Sequence, residues 1–289
     1  MDEGFVSNNG IKLHYIAEGP QDGEPVLLLH GFPQFSYMWR NQMAALAGAG
    51  YRAVAADLRG YNLSDKPTEV EQYQMSQLVT DVGAFYQHFG WRKANLVVHD
   101  WGGGIGWIFT TYQQKLVSKF VAIDIPHTGA YLKAMRQGTE QLRESWYIWL
   151  FQAAGAAEQY FGANDCERLI NWLFVEGRSK GQFSAEELTR YREMLRQPGQ
   201  LTAAFNYYRA NTNPQRALLA EVSPIPPLQV PTLLINGKDD FAFARAVWED
   251  TASYCTGPYR HVELEGVSHW ACEEAPQEVN RLILEHLAS

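Results

Sequence analysis

Ten residues, Ala94-Asn-Leu-Val-Val-His-Asp-Trp-Gly-Gly103, run from an apolar stretch straight into a glycine turn. A short run of apolar residues without alternation suits a strand covered on both faces, and such strands belong to parallel sheets. The glycines let the backbone turn sharply and open a helix. Asp100 stands at the tip of the turn. Aspartate is a favoured helix N-cap, and it is equally a nucleophile when held out above a sheet edge. The turn alone admits both readings.

The rest of the chain repeats this layout. A hairpin is expected over residues 4–6 and 11–16, joined through Asn8-Asn-Gly10, a good turn sequence. Buried strands are expected at 25–29, 52–56, 94–99, 119–123, 231–235 and 261–264. A helix is expected over 76–89, with a serine start and Gly90 as its stop. The fold class is therefore α/β, a mostly parallel eight-stranded sheet with helices on both faces. The alternation stops after Ile125-Pro126. Residues 128–223 carry no convincing strand, only helical patterns at 142–159, 165–174, 184–195 and 201–210. Prolines crowd residues 223–231, where no helix can continue. The expectation is a core of residues 1–127 and 224–289 with 128–223 inserted as a helical cap. Its natural place is over the carboxyl ends of the strands, where ligands bind in open α/β sheets.

Composition excludes several function classes. The net charge of −8 argues against nucleic acid or an anionic membrane as partner. No run of about 18 apolar residues is long enough to span a bilayer. The first residues, Met1-Asp-Glu-Gly-Phe-Val-Ser, lack the basic and apolar regions of a signal peptide, so a cytoplasmic protein is expected. Cys166, Cys255 and Cys272 have no metal or redox spacing and read as reduced thiols. No metal or other cofactor is expected. Nine Trp and fifteen Tyr suit an aromatic-lined pocket, although the core is their default home.

Three further segments bear on Asp100. His269 lies in Gly266-Val-Ser-His-Trp270, after the last expected strand. Asn236-Gly-Lys-Asp-Asp240 follows an apolar strand, so Asp239 or Asp240 is either a turn residue or an acid that orients the histidine. The order nucleophile, acid, histidine is one that catalytic triads take. In His30-Gly-Phe-Pro33, the turn beside the Asp100 strand is suited to aim backbone N–H groups inward. The N–H groups of Phe32 and Trp101 are the candidate oxyanion donors. His30 itself reads as a structural hydrogen-bonding residue. A serine that attacks saturated carbon would form an ether that water does not cleave. An aspartate forms an ester that water hydrolyses, so Asp100 points to epoxides or alkyl halides.

Together, His30-Gly-Phe-Pro33, Asp57-Leu-Arg-Gly-Tyr61, Ser64-Asp-Lys-Pro67, His99-Asp-Trp-Gly-Gly103 and Gly266-Val-Ser-His-Trp270 resemble the α/β-hydrolase-fold epoxide hydrolases along essentially the whole chain. The resemblance implies the α/β-hydrolase fold, Asp100 as nucleophile and His269 as base. Its G-x-x-D pattern falls on Gly237-Lys-Asp-Asp240 and implies Asp240 as the acid. It also implies two cap tyrosines that hold the epoxide oxygen. Ser145-Trp-Tyr-Ile-Trp-Leu-Phe-Gln152 places one at Tyr147, and Asn206-Tyr-Tyr-Arg209 places the other at Tyr208, with Tyr207 as its rival. The substrate implied is a small apolar epoxide, with water as co-substrate; the state of oligomerisation stays open.

The chain departs from the family's pattern at two places, and its acid has a rival. Val98 stands where the family usually has glycine, which is expected to crowd the turn. Asn62 replaces a glycine, and asparagine tolerates a left-handed backbone. Asp124, after the strand at 119–123, is an alternative acid because some dehalogenases of this fold take theirs from that place. The rival functions are a haloalkane dehalogenase and a non-catalytic receptor for small ligands. Phe32 stands where many haloalkane dehalogenases place an asparagine for the halide. Trp101 and Gly104 stand where fluoroacetate-type dehalogenases need arginines.

Overall fold

The computed structural model describes residues 1–175, 183–213 and 224–289. Eight strands form one sheet in the order β1-β2-β4-β3-β5-β6-β7-β8. They are β1 (Asp2–Asn8), β2 (Ile11–Glu18), β3 (Pro25–Leu29), β4 (Arg52–Ala56), β5 (Ala94–His99), β6 (Val117–Ile123), β7 (Thr232–Gly237) and β8 (Tyr259–Leu264). β1 and β2 pair antiparallel, as do β2 and β4; every other pair is parallel. The central strands are mostly apolar because both faces are covered. In β3, Leu27 and Leu29 join one core layer while Val26 and Leu28 join the other, the two-residue period of a strand. Helices α1 (Arg40–Gly48) and the C-terminal α12 (Pro276–Ala288) cover the second face. Helices α2 (Met75–Phe89) and α3 (Asp100–Tyr112) cover the first.

Between β6 and β7 the chain leaves the sheet. The cap helices are α4 (Thr128–Gln137), α5 (Thr139–Glu144), α6 (Trp146–Phe151), α7 (Ala156–Ile170), α8 (Ala185–Leu195) and α9 (Gln200–Asn211). Two short helices follow β7 and β8, α10 (Arg245–Thr251) and α11 (Ala271–Glu274). Helix α4 was not among the expected patterns. The stretch expected as one helix over 142–159 is three: Ser145 and the turn before Gly155, at φ 79°, break it. Ser76 does not cap α2, which begins at Met75 after an uncapped Gln74; Gly90, at φ 66°, ends it as expected. Ser184 caps α8 in a capping box with Glu187. The expected end of the insertion at residue 223, where the proline-rich linker starts, lies outside the described residues.

The cap is fastened to the core by polar contacts. The Tyr207 hydroxyl donates to the Arg59 carbonyl at 2.7 Å, and Gln200 donates to the Gly60 carbonyl at 2.8 Å. The Trp270 indole donates to the Leu173 carbonyl at 3.0 Å. The Arg40 guanidinium joins Glu273 of the core, at 2.7 Å, to Glu187 of the cap. The Tyr191 hydroxyl also donates to Glu273, at 2.7 Å. Burial pushes the Glu273 carboxyl up to about 7, against the pull of Arg40. Among the described residues no helix is long and apolar enough to cross a membrane.

Candidate active site

Asp100 is the first residue of α3, and its backbone sits at φ 46°. That is the left-handed region, which a non-glycine residue occupies only where the surroundings impose it. The neighbours are glycines for steric reasons. A Cβ on Gly31 would collide with the Asp100 carboxylate, and one on Gly102 would collide with the Leu29 and His30 carbonyls. The two turns therefore close on each other, and the Phe32 N–H donates to Asp100 Oδ1 at 2.6 Å. Asp100 is not an N-cap: no side chain caps α3, and the carboxylate takes its bond from the neighbouring turn. Trp101 follows as the second residue of α3, whose opening N–H groups have no carbonyl partner within the helix.

His269 faces Asp100 with Nε2 3.5 Å from Oδ2. Its Nδ1 lies 2.8 Å from Asp240 Oδ2. Burial opposes a charge on this imidazole, but the carboxylates of Asp240 and Asp100 outweigh it and hold its pKa well above the usual histidine range. Burial likewise opposes ionisation of Asp100. The hydrogen bond and charge of His269, with the Phe32 N–H, outweigh it and keep the carboxyl below the usual aspartate range. The resting pair is thus carboxylate and imidazolium.

Asp124 does not reach His269 as the acid. It sits at φ 49° after β6 and accepts from the N–H groups of Gly237, at 2.9 Å, and Ala271, at 3.0 Å. Burial, then the charge of Asp240, pushes its carboxyl up to about 8. It ties together the loops that carry Asp240 and His269. A second brace was not legible in the sequence: His99 Nε2–H donates to the His269 carbonyl at 2.9 Å. Burial, then the charge of His269, lowers the His99 pKa to about 3, so this donor stays neutral.

His30, expected to be a structural hydrogen-bonding residue, spends its ring on the backbone. His30 is fully buried; its Nε2 accepts the Leu58 N–H at 2.9 Å. Asn62 adopts φ 45° and donates to Asp57 at 2.7 Å. Val98, expected to crowd the turn, is fully buried, and Asp100 two residues on holds its left-handed backbone.

Above Asp100 lie the cap tyrosines. The rings of Tyr147 and Tyr208 are 6.0 Å apart at 83°. Tyr208 packs edge-on against Trp101 at 5.0 Å and Phe32 at 5.4 Å. Burial, and then neighbouring groups that include the Asp100 carboxylate, push both phenols well above their usual range, so both keep their protons. Tyr207, one position along α9, points away and spends its hydroxyl on Arg59. Asp100, Tyr147 and Tyr208 all line an apolar cavity of about 220 Å³ with Trp101, Ile125, Leu132 and Phe243. The cavity wall is what sequence reasoning missed, since its residues come from six separate segments. Among the described residues no cluster of His, Cys, Asp or Glu is placed to hold a metal ion.

The chain and its fold have known counterparts. Residues 24–276 match the family model for the alpha/beta hydrolase fold. The chain is 38% identical over 284 residues to the AB hydrolase superfamily protein YfhM of Bacillus subtilis, covering 98% of this chain and 96% of that protein. It is 33% identical to Epoxide hydrolase 4 of Homo sapiens, covering 96% of this chain and 76% of that one. The crystal structure of Bacillus megaterium epoxide hydrolase in complex with an inhibitor superposes with a TM-score of 0.91 at 31% identity, over 99% of this chain and 100% of that one. With its left-handed aspartate at the turn after β5 and its eight-stranded sheet, the chain belongs to the epoxide hydrolases of the α/β-hydrolase fold.

Proposed function

We propose that the protein hydrolyses epoxides to vicinal diols through a covalent ester on Asp100. The observation that carries the reading is the position of one ionised carboxylate between two protonated phenols and a carboxylate-paired imidazole, in an apolar cavity. Asp100 attacks one oxirane carbon and the C–O bond on that carbon breaks. The oxygen leaves as an alkoxide that takes a proton from Tyr147 or Tyr208, and the proton His269 holds at rest makes up the phenol's loss. The product of this step is a hydroxyalkyl ester.

Ester formation removes the negative charge of Asp100, one of the causes that hold His269 protonated. The imidazole, still oriented by Asp240, then accepts a proton from water. The hydroxide adds to the carbonyl carbon of Asp100. The N–H groups of Phe32 and Trp101 stabilise the tetrahedral oxyanion. Collapse expels the diol oxygen, which takes its proton from His269, and the carboxylic acid returns its own proton to the imidazole. Epoxide and water are consumed, and the enzyme ends as it began.

The test uses the His269→Gln variant, which forms the ester but does not hydrolyse it. It is incubated separately with styrene oxide and with a haloalkane, and digested peptides are analysed by mass spectrometry. An adduct on Asp100 from the epoxide alone is the expected result. An adduct from the haloalkane alone, with halide release by the wild type, makes the protein a dehalogenase. No adduct from a varied panel makes it a receptor.

A further inference from the structure

Asp100 stands at the junction of two spaces of very unequal size. On one side is the cavity of about 220 Å³, walled by Ile108, Ile125, Pro126, Leu132 and Phe243. On the other is a space of about 10 Å³, lined by Phe32, Trp172, Phe241 and Trp270 with His269 beside it. Asp100, Tyr147 and Tyr208 line both. An oxirane whose oxygen is held by the tyrosines above Asp100 lies across this junction, one ring carbon facing each space.

The volumes decide what each carbon can carry. A cavity of about 150 Å³ accepts benzene, whereas one of about 10–15 Å³ accepts a single water. The larger space therefore takes a phenyl ring with some chain attached, and the smaller takes no substituent beyond hydrogen. Its walls do not yield independently. Trp172 packs on Tyr147 at 5.5 Å and on Trp146 at 5.4 Å, and Phe241 packs on His269 at 5.4 Å. Displacing one ring displaces the others.

We propose that the enzyme takes terminal epoxides with a single apolar arm, and that Trp172 and Phe241 exclude epoxides substituted on both carbons. The inference rests on the epoxide hydrolase reading above. The arm fills the larger space, and the unsubstituted CH₂ faces the smaller one. The smaller space also keeps the dimensions of one water next to His269, so a second substituent obstructs ester formation and ester hydrolysis alike.

The test compares styrene oxide with trans-stilbene oxide, which adds one phenyl ring on the second carbon. For the wild type, kcat/KM for the stilbene oxide is expected to be lower by about 100-fold or more. Phe241→Ala opens the small space from the core side, and Trp172→Ala opens it from the cap side. Trp172→Phe does so while keeping the cap's ring packing. Each is expected to raise the ratio of kcat/KM for the stilbene oxide to kcat/KM for styrene oxide about tenfold. Similar wild-type values for the two epoxides, or an unchanged ratio in all three variants, overturns this inference and leaves the hydrolase reading standing. Diol from neither epoxide overturns both.

Discussion

Val98 and Gly106 share one space behind the turn that carries Asp100. A Cβ on Gly106 would lie 2.7 Å from Val98 Cγ1 and 3.2 Å from the Phe120 ring. The branched side chain on the strand is thus accommodated by a missing side chain on the helix. Gly106→Ala is expected to destabilise the protein by about 1–3 kcal/mol through overpacking. Val98→Ala in the same chain removes the opposing methyls, so the double variant loses less than the sum of the single losses. Urea unfolding of the four chains measures this; additive losses would mean that the two residues do not compete.

Asp240 and Asp124 differ in what they hold, and their asparagine variants should differ accordingly. Asp240→Asn removes the charge that orients His269, and is expected to slow ester hydrolysis by about 10²–10⁴-fold. The ester then accumulates during turnover. Asp124 has its pKa pushed up to about 8, so Asp124→Asn removes little charge near pH 7. Its effect on kcat is expected to stay within about tenfold, through looser backbone ties. Quench-flow on both variants checks the pair. Equal losses would return the acid role to Asp124.

Tyr147→Phe and Tyr208→Phe each remove one donor to the leaving oxygen. Each is expected to slow ester formation by about 10–100-fold, and the double variant by more, with ester hydrolysis unchanged. Tyr207→Phe behaves differently. It leaves the buried Arg59 carbonyl without its partner, a loss of about 1–3 kcal/mol in stability, and leaves the chemistry intact. Single-turnover rates together with melting curves separate the two behaviours.

The two half-reactions should respond differently to pH. Asp100 is held below its usual range, so it is ionised, and ester formation is lost only as pH falls through that depressed value. The phenols are held well above theirs, so their protons are lost only at pH above about 10. Ester formation should be flat from about pH 5 upward and fall only where His269 of the free enzyme, held well above its usual range, loses the proton that replaces the phenol's. Ester hydrolysis needs neutral His269 and should rise with pH through the imidazole pKa of the esterified enzyme. Stopped-flow tryptophan fluorescence resolves the steps. A common pKa for both rates would sink this account.

The sequence made the buried strands legible: β3, β4 and β5 begin and end where expected, because strands covered on both faces read as unbroken apolar runs. The cap was less legible. Residues 146–151 are apolar around the whole helix, so no periodicity marked the break at Ser145, and Gly155 was the only local sign of the next one. The choice between Tyr207 and Tyr208 depended on which face of α9 meets the sheet, a tertiary fact. The choice between Asp124 and Asp240 had the same character, since each follows a core strand. Phe241 gave no signal, and Trp172 only that of one aromatic among several in the cap, because the wall they form joins cap to core.

The fastening of the cap has a consequence for how such an enzyme can change. In the proposed mechanism, the groups that activate the electrophile, Tyr147 and Tyr208, stand on the cap. The groups that discharge the ester, His269, Asp240 and Phe32, stand on loops of the sheet. Capture and release are thus written on different parts of one chain, joined by contacts such as Arg40 with Glu187 and Tyr207 with Arg59. Substitutions in the cap away from Trp172 can redraw which molecules are captured without touching release, provided those clasps survive. Loss of a clasp would present as an enzyme that empties itself normally but seldom loads.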